Sequence, residues 1–347
     1  MKNILDDTSF ISTVYNEEDS IREFLESLKS QTVLPGEIII VDGGSGDRTF
    51  SRMEDFFSQW AREYKSSIYM SPDKGDGDKS RGKVIVKLIK SPGAGISRGR
   101  NIAIDQSSGS SISVSDAGCI LDPGWLEAIS RGIKKDPSRI NGGMNYSICG
   151  SMLQKLTALS IMPGLNETDP ESFMPSSRNI SFRKTHWEDV GGYPEDLDFG
   201  EDMRFDFNLK EKGYNLVFSP AAVVYWRMRE NLSKIFRQFF RYAKGDCLGR
   251  MYPLRHFIRF FSGALFLAVL ICGIFISPWI FLAFIILGAA YCYKPYYRLF
   301  IRWEGNEGCR PKGMGKLAAL ILLPLLLIYI DTAKVFGYLY GLITRRN

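Results

Sequence analysis

Glu37-Ile38-Ile39-Ile40-Val41-Asp42-Gly43-Gly44-Ser45-Gly46-Asp47 is the stretch on which the fold of this chain turns. A β-branched run that stops at an acid and two glycines is the pattern of a buried strand entering a turn. Upstream, Phe10 to Tyr15 reads as a second apolar strand. Between them, Ile21, Phe24, Leu25 and Leu28 recur at helical spacing within Glu18 to Gln31. Strand, helix and strand joined by a right-handed crossover make a parallel sheet. The alternation continues with a helix around Thr49 to Tyr64 and a Gly/Asp/Lys-rich turn near Pro72 to Lys83. A strand at Val84 to Leu88, a helix from about Ala94 and a strand at Ile112 to Ser115, ending at Asp116, complete it. Open sheets of this kind take ligands at the carboxyl ends of their strands, so Asn16, Asp42 and Asp116 are expected at one crevice.

The chain has 347 residues, 45% of them hydrophobic, and the hydrophobic content is uneven. Residues 1 to about 255 have an ordinary soluble mixture, whereas the long apolar runs fall between Phe260 and Ile343. The expected organisation is a cytosolic domain over 1–230, an amphipathic interfacial segment over 231–259 and a membrane region over 260–347. Helices are expected at about 260–277, 278–293 and 317–343, near the length a bilayer core of ~30 Å requires. Ser277-Pro278 breaks the first two into a hairpin whose basic flanks point to the cytoplasmic face, with Lys294 to Lys316 as a cytoplasmic loop of a multi-pass protein. The third run contains Asp331 and Lys334, i,i+3 apart and able to pair, and either crosses once or bends back along the surface. The net charge is +6. Its bases gather at Arg255, Arg259, Lys294, Arg298, Arg302, Arg310, Lys312 and Lys316, which suits anionic headgroups and not nucleic acid.

Six cysteines, Cys119, Cys149, Cys247, Cys272, Cys292 and Cys309, lie far apart without a C-x-x-C, and are expected to be free thiols in a reducing compartment. The polar start of the chain shows no apolar export signal. Only two histidines occur, His186 and His256, neither in a triad-like setting, so a histidine-dependent mechanism is not expected.

Eight short segments carry a family resemblance. Thr13-Val14-Tyr15-Asn16-Glu17-Glu18, Ser30-Gln31-Thr32 and Glu37 through Thr49 resemble the opening of the family 2 inverting glycosyltransferases, with Thr13 where a Pro is common. Ala94-Gly95-Ile96-Ser97-Arg98-Gly99-Arg100-Asn101 is similar to the family's G-x-x-x-A-R-N, with Gly99 in place of Ala. Ser115-Asp116-Ala117-Gly118 stands where the family has D-x-D, Gly118 replacing the second acid. Gly191-Gly192-Tyr193-Pro194-Glu195 and Gly200-Glu201-Asp202 resemble G-G-F-x-E and E-D, and Gln238-Phe239-Phe240-Arg241-Tyr242 resembles Q-x-x-R-W with Tyr for Trp. The pieces occur in the family's order over roughly residues 9–245.

The resemblance implies an α/β, GT-A-like nucleotide-diphospho-sugar transferase sheet with helices on both faces, followed by C-terminal transmembrane helices. It implies a hexosyltransferase that moves a sugar from a UDP- or GDP-type donor to a lipid-linked or membrane-proximal acceptor, in glycan or cell-envelope biosynthesis. Donor binding would fall to Tyr15, Asn16, Glu17, Asp42, Arg98, Arg100, Asn101, Asp116, Gln238, Arg241 and Tyr242. A divalent cation, Mg2+ or Mn2+, would rest on Asp116, and catalysis on Asp202 with Glu201.

Residue chemistry leaves alternatives beside these roles. Asp42 accepts from a base or ribose, or caps the turn through Gly43-Gly44; Glu17 contacts ribose, or caps the helix after it. Arg98 and Arg100 reach phosphate or the acidic crevice wall, or are solvated helix positions. Asp122, before Pro123, reads as a helix cap. Asp202 is placed to take the acceptor's proton, or only caps a helix; Glu201 orients the loop or the acceptor. A nucleotidyltransferase of similar fold and an inactive membrane scaffold are the competing readings; nucleic acid is not an expected partner.

Overall fold

A computed structural model describes residues 2–63, 68–70 and 83–345; the Gly/Asp/Lys-rich stretch at 72–82 lies outside them. In chain order the elements begin β1 (Asn3–Val14), α1 (Ile21–Lys29), β2 (Val33–Asp42), α2 (Thr49–Glu63), β3 (Ile68–Met70), β4 (Val84–Lys90), α3 (Ile96–Asp105) and β5 (Ser111–Val114). They continue with β6 (Cys119–Leu121), α4 (Trp125–Ile129), β7 (Arg139–Ile148), α5 (Met152–Ile161), β8 (Ile180–Arg183), α6 (Lys184–Asp189), α7 (Glu201–Glu211) and β9 (Asn215–Arg227). Last come α8 (Leu232–Leu248), α9 (Pro253–Phe275), α10 (Leu282–Tyr291), α11 (Tyr293–Phe300) and α12 (Met314–Thr344).

The chain divides into two compact units, one of residues 1–146 and 169–226 and one of residues 147–168 and 227–347. The first is built on a nine-stranded sheet in the order β3-β4-β2-β1-β5-β8-β7-β9-β6. β3, β4, β2, β1 and β5 are parallel, while β8 joins β5 and β7 antiparallel and β6 joins β9 antiparallel. Every residue of β2 is buried, as a strand covered on both faces must be. The alternation of side chains along a strand sorts its core. Phe10, Ile38 and Ile40 pack with Phe24, Leu28, Met53 and Phe57 from α1 and α2. Ile11, Ile39 and Val41 pack on the other side with Ala103, Ile104, Phe205 and Leu209 from α3 and α7.

Gly99 and Thr13 mark where α3 presses on β1. A Cβ on Gly99 would stand 2.7 Å from the γ-methyl of Thr13. The two departures from the family pattern thus answer one another: a threonine on the strand needs a residue without a side chain on the helix.

In the second unit, α8 is capped by Asn231, whose side chain accepts from the Lys234 N–H at 2.9 Å. It buries Ile235, Gln238, Phe239 and Ala243. α12 packs along it so closely that a Cβ on Gly337 would meet the Phe240 carbonyl. α9 and α12 are each long and apolar enough to cross a membrane, and the bent pair α10–α11 adds a third such segment if taken as one; the chain is membrane-associated. Asp331 and Lys334 pair at 3.5 Å.

Two expectations are corrected in this unit. The stretch from Lys294, expected as loop, begins with α11, where Arg298 donates to Glu167 at 2.8 Å and to the Leu159 carbonyl at 2.7 Å. Cys149 and Cys309 are not free thiols: they form a disulfide, with Cα atoms 5.5 Å apart, across 160 positions of sequence. Cys119, Cys247, Cys272 and Cys292 remain free.

Candidate active site

Parallel register builds the floor of the crevice. Val14 pairs with Asp42 and Ile11 with Val114, which delivers Tyr15 to Glu17, Asp42 and Asp116 to the same carboxyl edge. Asp42 is buried there, and its Oδ1 accepts from the N–H groups of Gly44 (3.0 Å) and Ser45 (2.8 Å) and from the Ser45 hydroxyl (2.8 Å). This carboxylate therefore shapes the turn, the capping role its position allowed. Ser45 Oγ accepts from the Asn16 N–H at 2.9 Å, and Asn16 Oδ1 accepts from the Gly46 N–H at 2.9 Å. Asn16 has φ +53, a left-handed conformation that asparagine tolerates better than most residues. Tyr15 projects outward, 63% exposed.

Glu17 closes the turn into α1. Its carbonyl accepts from the N–H groups of Ser20 (3.1 Å) and Ile21 (2.8 Å), and its carboxylate accepts from the Ser20 hydroxyl. Its Oε1 also faces Gly118, 3.8 Å from where a Cβ on that residue would stand.

Arg100 is the hub. It is 2% exposed, and its Nη2 donates to Asp116 Oδ1 and its Nη1 to Glu201 Oε1, each at 2.7 Å. One guanidinium fork thus joins the end of β5 to the start of α7. Burial alone would favour neutral arginine, but the charges of Asp116 and Glu201 outweigh it and hold the group above its ordinary value. Of the readings open for Arg100, phosphate, the crevice wall or a solvated helix position, the contacts are with the wall. Burial, then the charge of Asp202, raises Glu201 above the usual carboxylate range, with Arg100 opposing.

Asp202 lies in the first turn of α7, a position that favours anions, and its Oδ2 accepts from the Ser176 hydroxyl at 3.2 Å. One turn further, Asp206 is buried with no hydrogen-bond partner on either oxygen among the described residues. Burial, then the charge of Asp202, pushes it well above the ordinary range. Cys119 is buried as well, its thiol pushed up to about 12, which removes it as a nucleophile. His186 is committed to packing, its Nε2 2.7 Å from the Pro137 carbonyl and its ring against Tyr214.

Hydrogen bonds therefore link Asp42 through Ser45 to Asn16 on one side of the crevice, and Asp116 through Arg100 to Glu201, the neighbour of Asp202, on the other. Arg98 is exposed on α3, away from the fork. Asn101 is spent on structure: its amide donates to the Tyr193 carbonyl and to Glu195, both at 2.9 Å, and accepts from the Tyr193 N–H and Trp187. Gln238, Arg241 and Tyr242 lie on α8 in the second unit, where Gln238 donates to the Tyr242 hydroxyl at 3.1 Å. Asp122 is not the cap of α4, whose N-cap is Gly124; it accepts from the Gly124 N–H at 3.1 Å in the turn that leads into the helix. The sequence assigns no role to Ser176 or Asp206, and Tyr193 stands there only as part of its motif. No three His, Cys, Asp or Glu side chains cluster as metal ligands among the described residues.

Comparison with known proteins bears on the family and the fold. The description Glycosyl transferase family 2 fits residues 9–187, and Glycosyl transferase family group 2 fits residues 169–330. Glycosyltransferase AglE of Haloferax volcanii is 25% identical over 274 residues, 78% of this chain and 82% of that protein. Poly-beta-1,6-N-acetyl-D-glucosamine synthase of Staphylococcus aureus is 24% identical over 249 residues, 70% of this chain and 55% of that protein; the chain spans about half of that relative. Among solved structures, the mannosyltransferase PcManGT of Pyrobaculum calidifontis, in complex with GDP-Man and Mn2+, is similar in fold. Its TM-score is 0.53 at 15% identity, over 98% of this chain and 88% of that one. A sheet with helices on both faces and an acidic crevice at its carboxyl edge defines a GT-A-like glycosyltransferase. The chain belongs to glycosyl transferase family 2.

Proposed function

We propose that the enzyme transfers a sugar, with inversion at the anomeric carbon, from a UDP- or GDP-type donor to a lipid-linked or membrane-proximal acceptor. The observation that carries this reading is the Arg100 fork, which gathers Asp116 and Glu201 beside Asp202 at the strand edge. Asp202 takes the proton of the acceptor hydroxyl as its oxygen bonds to the anomeric carbon and the bond to the diphosphate breaks. Arg100 holds Asp116 and Glu201 in place. Tyr15, exposed at the end of β1, is placed to stack on the base, and Asn16 and Asp42 hold the loop beneath it.

A divalent cation fits Asp116, whose Oδ1 is engaged by Arg100 while its side chain is 30% exposed. Such ions bind diphosphates through one or two carboxylates and keep several waters, and Glu17 beside Gly118 is the available second acid. When bound, the cation would neutralise the leaving diphosphate. PcManGT, in complex with GDP-Man and Mn2+, binds ligands of this class. Gln238, Arg241 and Tyr242 enter the reading through their motif alone.

Basic flanks support a multi-pass protein with the transferase unit on the cytoplasmic side. The Cys149–Cys309 bond weighs against that side, because such bonds persist mainly in oxidising compartments. The test is a panel of nucleotide sugars with Mg2+ or Mn2+. Release of nucleoside diphosphate supports transfer, release of pyrophosphate supports a nucleotidyltransferase, and no donor binding supports a scaffold. Mass spectrometry of lipids from cells with and without the protein identifies the acceptor.

A further inference from the structure

α12 qualifies to cross a bilayer by length and apolarity, yet its neighbours make crossing unfavourable. Its C-terminal half runs along α8 in the same direction. Tyr329 donates to the Leu232 carbonyl at 3.2 Å and its ring meets Phe236 at 5.5 Å; Tyr340 faces Phe240 at 5.6 Å and Lys244 Nζ at 5.5 Å. α8 carries Lys234, Arg237, Arg241 and Lys244 over that same length. A helix bound to it along its length cannot enter hydrocarbon without drawing these charges in. The N-terminal half is held in the same way: the Tyr296 hydroxyl of α11 donates to the Leu320 carbonyl at 2.7 Å, and α5 packs against the helix as well.

The middle of α12 fixes its level. Asp331 accepts from Arg259 near the start of α9 at 3.0 Å and from Tyr291 at the end of α10 at 2.8 Å. Both feet of the α9–α10 hairpin thus stand on one residue of α12, with charge and tyrosine together, as at a membrane interface. The outward face of α12 is nonetheless mostly apolar: Leu317, Ile321, Leu325, Ile328, Leu339 and Ile343 are all exposed, and the exposed Thr332 among them donates its hydroxyl to the Ile328 carbonyl. The opposite face, with Ala319, Ala333, Gly337 and Gly341, is buried.

We propose that α12 is an in-plane membrane helix. Its small-residue face docks on α8 and α5, its outward stripe lies in the headgroup–acyl boundary of the bilayer, and the α9–α10 hairpin is the inserted element. Lys312 before it and Arg345 after it suit anionic headgroups at both ends. This inference rests on membrane association and not on the transferase reading, so either can fail alone.

The test uses the full chain carrying Lys312→Cys and Thr344→Cys, in membrane vesicles of one orientation. A membrane-impermeant maleimide is applied with and without permeabilisation and read peptide by peptide by mass spectrometry. An in-plane helix labels at both positions from the same side, in a ratio of about one. Labelling of one position in intact vesicles, with the other reacting only after permeabilisation, overturns the proposal. Nitroxides at Leu325 and Leu339 separate the remaining outcomes. Equal shallow depth in lipid is expected; a depth difference of about 20 Å, the rise of fourteen helical residues, or full exposure to water, contradicts it.

Discussion

Arg100 Nη1 and Glu201 Oε1 stand 2.7 Å apart, with the two residues 2% and 6% exposed, and the same guanidinium holds Asp116. Removing the cation leaves the buried Glu201 without compensation and Asp116 without its partner. Arg100→Met is expected to destabilise the folded chain by about 3–5 kcal/mol. Arg100→Lys keeps the charge but not the fork, and should unfold between the two while losing donor turnover. Thermal unfolding in detergent reads both; an Arg100→Met chain that unfolds with the wild type would show that the fork holds nothing.

Thr13 and Gly99 make a second pair. Gly99→Ala is expected to cost about 1–3 kcal/mol, because the added methyl meets the Thr13 γ-methyl in a packed core. In a Thr13→Ser background that methyl is gone, and alanine, the better helix former by about 1 kcal/mol, should be neutral or stabilising. A coupling of at least about 0.5 kcal/mol in the double-mutant cycle is the expected outcome, and strict additivity would remove the explanation.

Asp206 gives stability a pH dependence of definite sign. Its folded pKa lies well above the ordinary 3.8, so between those two values the native state holds the extra proton. Stability is fully present below the lower value and falls as pH rises through the window, by up to about 1.4 kcal/mol per pH unit. Asp206→Asn removes this group's share, so denaturant unfolding over about pH 4 to 8 should decline less steeply for the variant than for the wild type. Parallel profiles would mean that Asp206 is ionised in the folded chain.

The Cys149–Cys309 bond is checked by counting thiols. Four of the six cysteines should react with maleimide in the unreduced, denatured chain and all six after reduction. Reduction, or Cys149→Ser, is expected to destabilise the second unit by about 2–5 kcal/mol. Six reactive thiols without reductant would restore the expectation of a fully reduced chain.

How much of this was legible depended on where a segment lies. β1, β2 and the helices around them declared themselves because Ile38 to Val41 are buried on both faces and leave an unbroken apolar run. β7 and β9 did not: Arg139–Ile148 carries Asn141, Gly142 and Gly143, and Asn215–Arg227 carries Pro220 and alternates burial irregularly. Such antiparallel strands look like loops to a periodicity argument. At the site, residue types located Asp42, Arg100, Asp116 and Glu201, but not their partners. Arg100 meets acids, Asn101 ties down the turn at 191–195, and Asp42 and Glu17 shape turns; each choice is set by tertiary neighbours that spacing does not encode. Ser176 carried no signal at all, and two cysteines 160 positions apart, without a spacing motif, gave none for their pairing.

The central claim is that Asp202, beside the Arg100 fork, is the base of a sugar transfer. Its most direct test is nucleoside diphosphate release by Asp202→Asn, measured together with donor binding. The expected result is turnover lower by about 10²–10⁴-fold with donor affinity kept, because the substitution removes proton acceptance and little else. An Asp202→Asn enzyme that turns over donor at the wild-type rate would contradict the account.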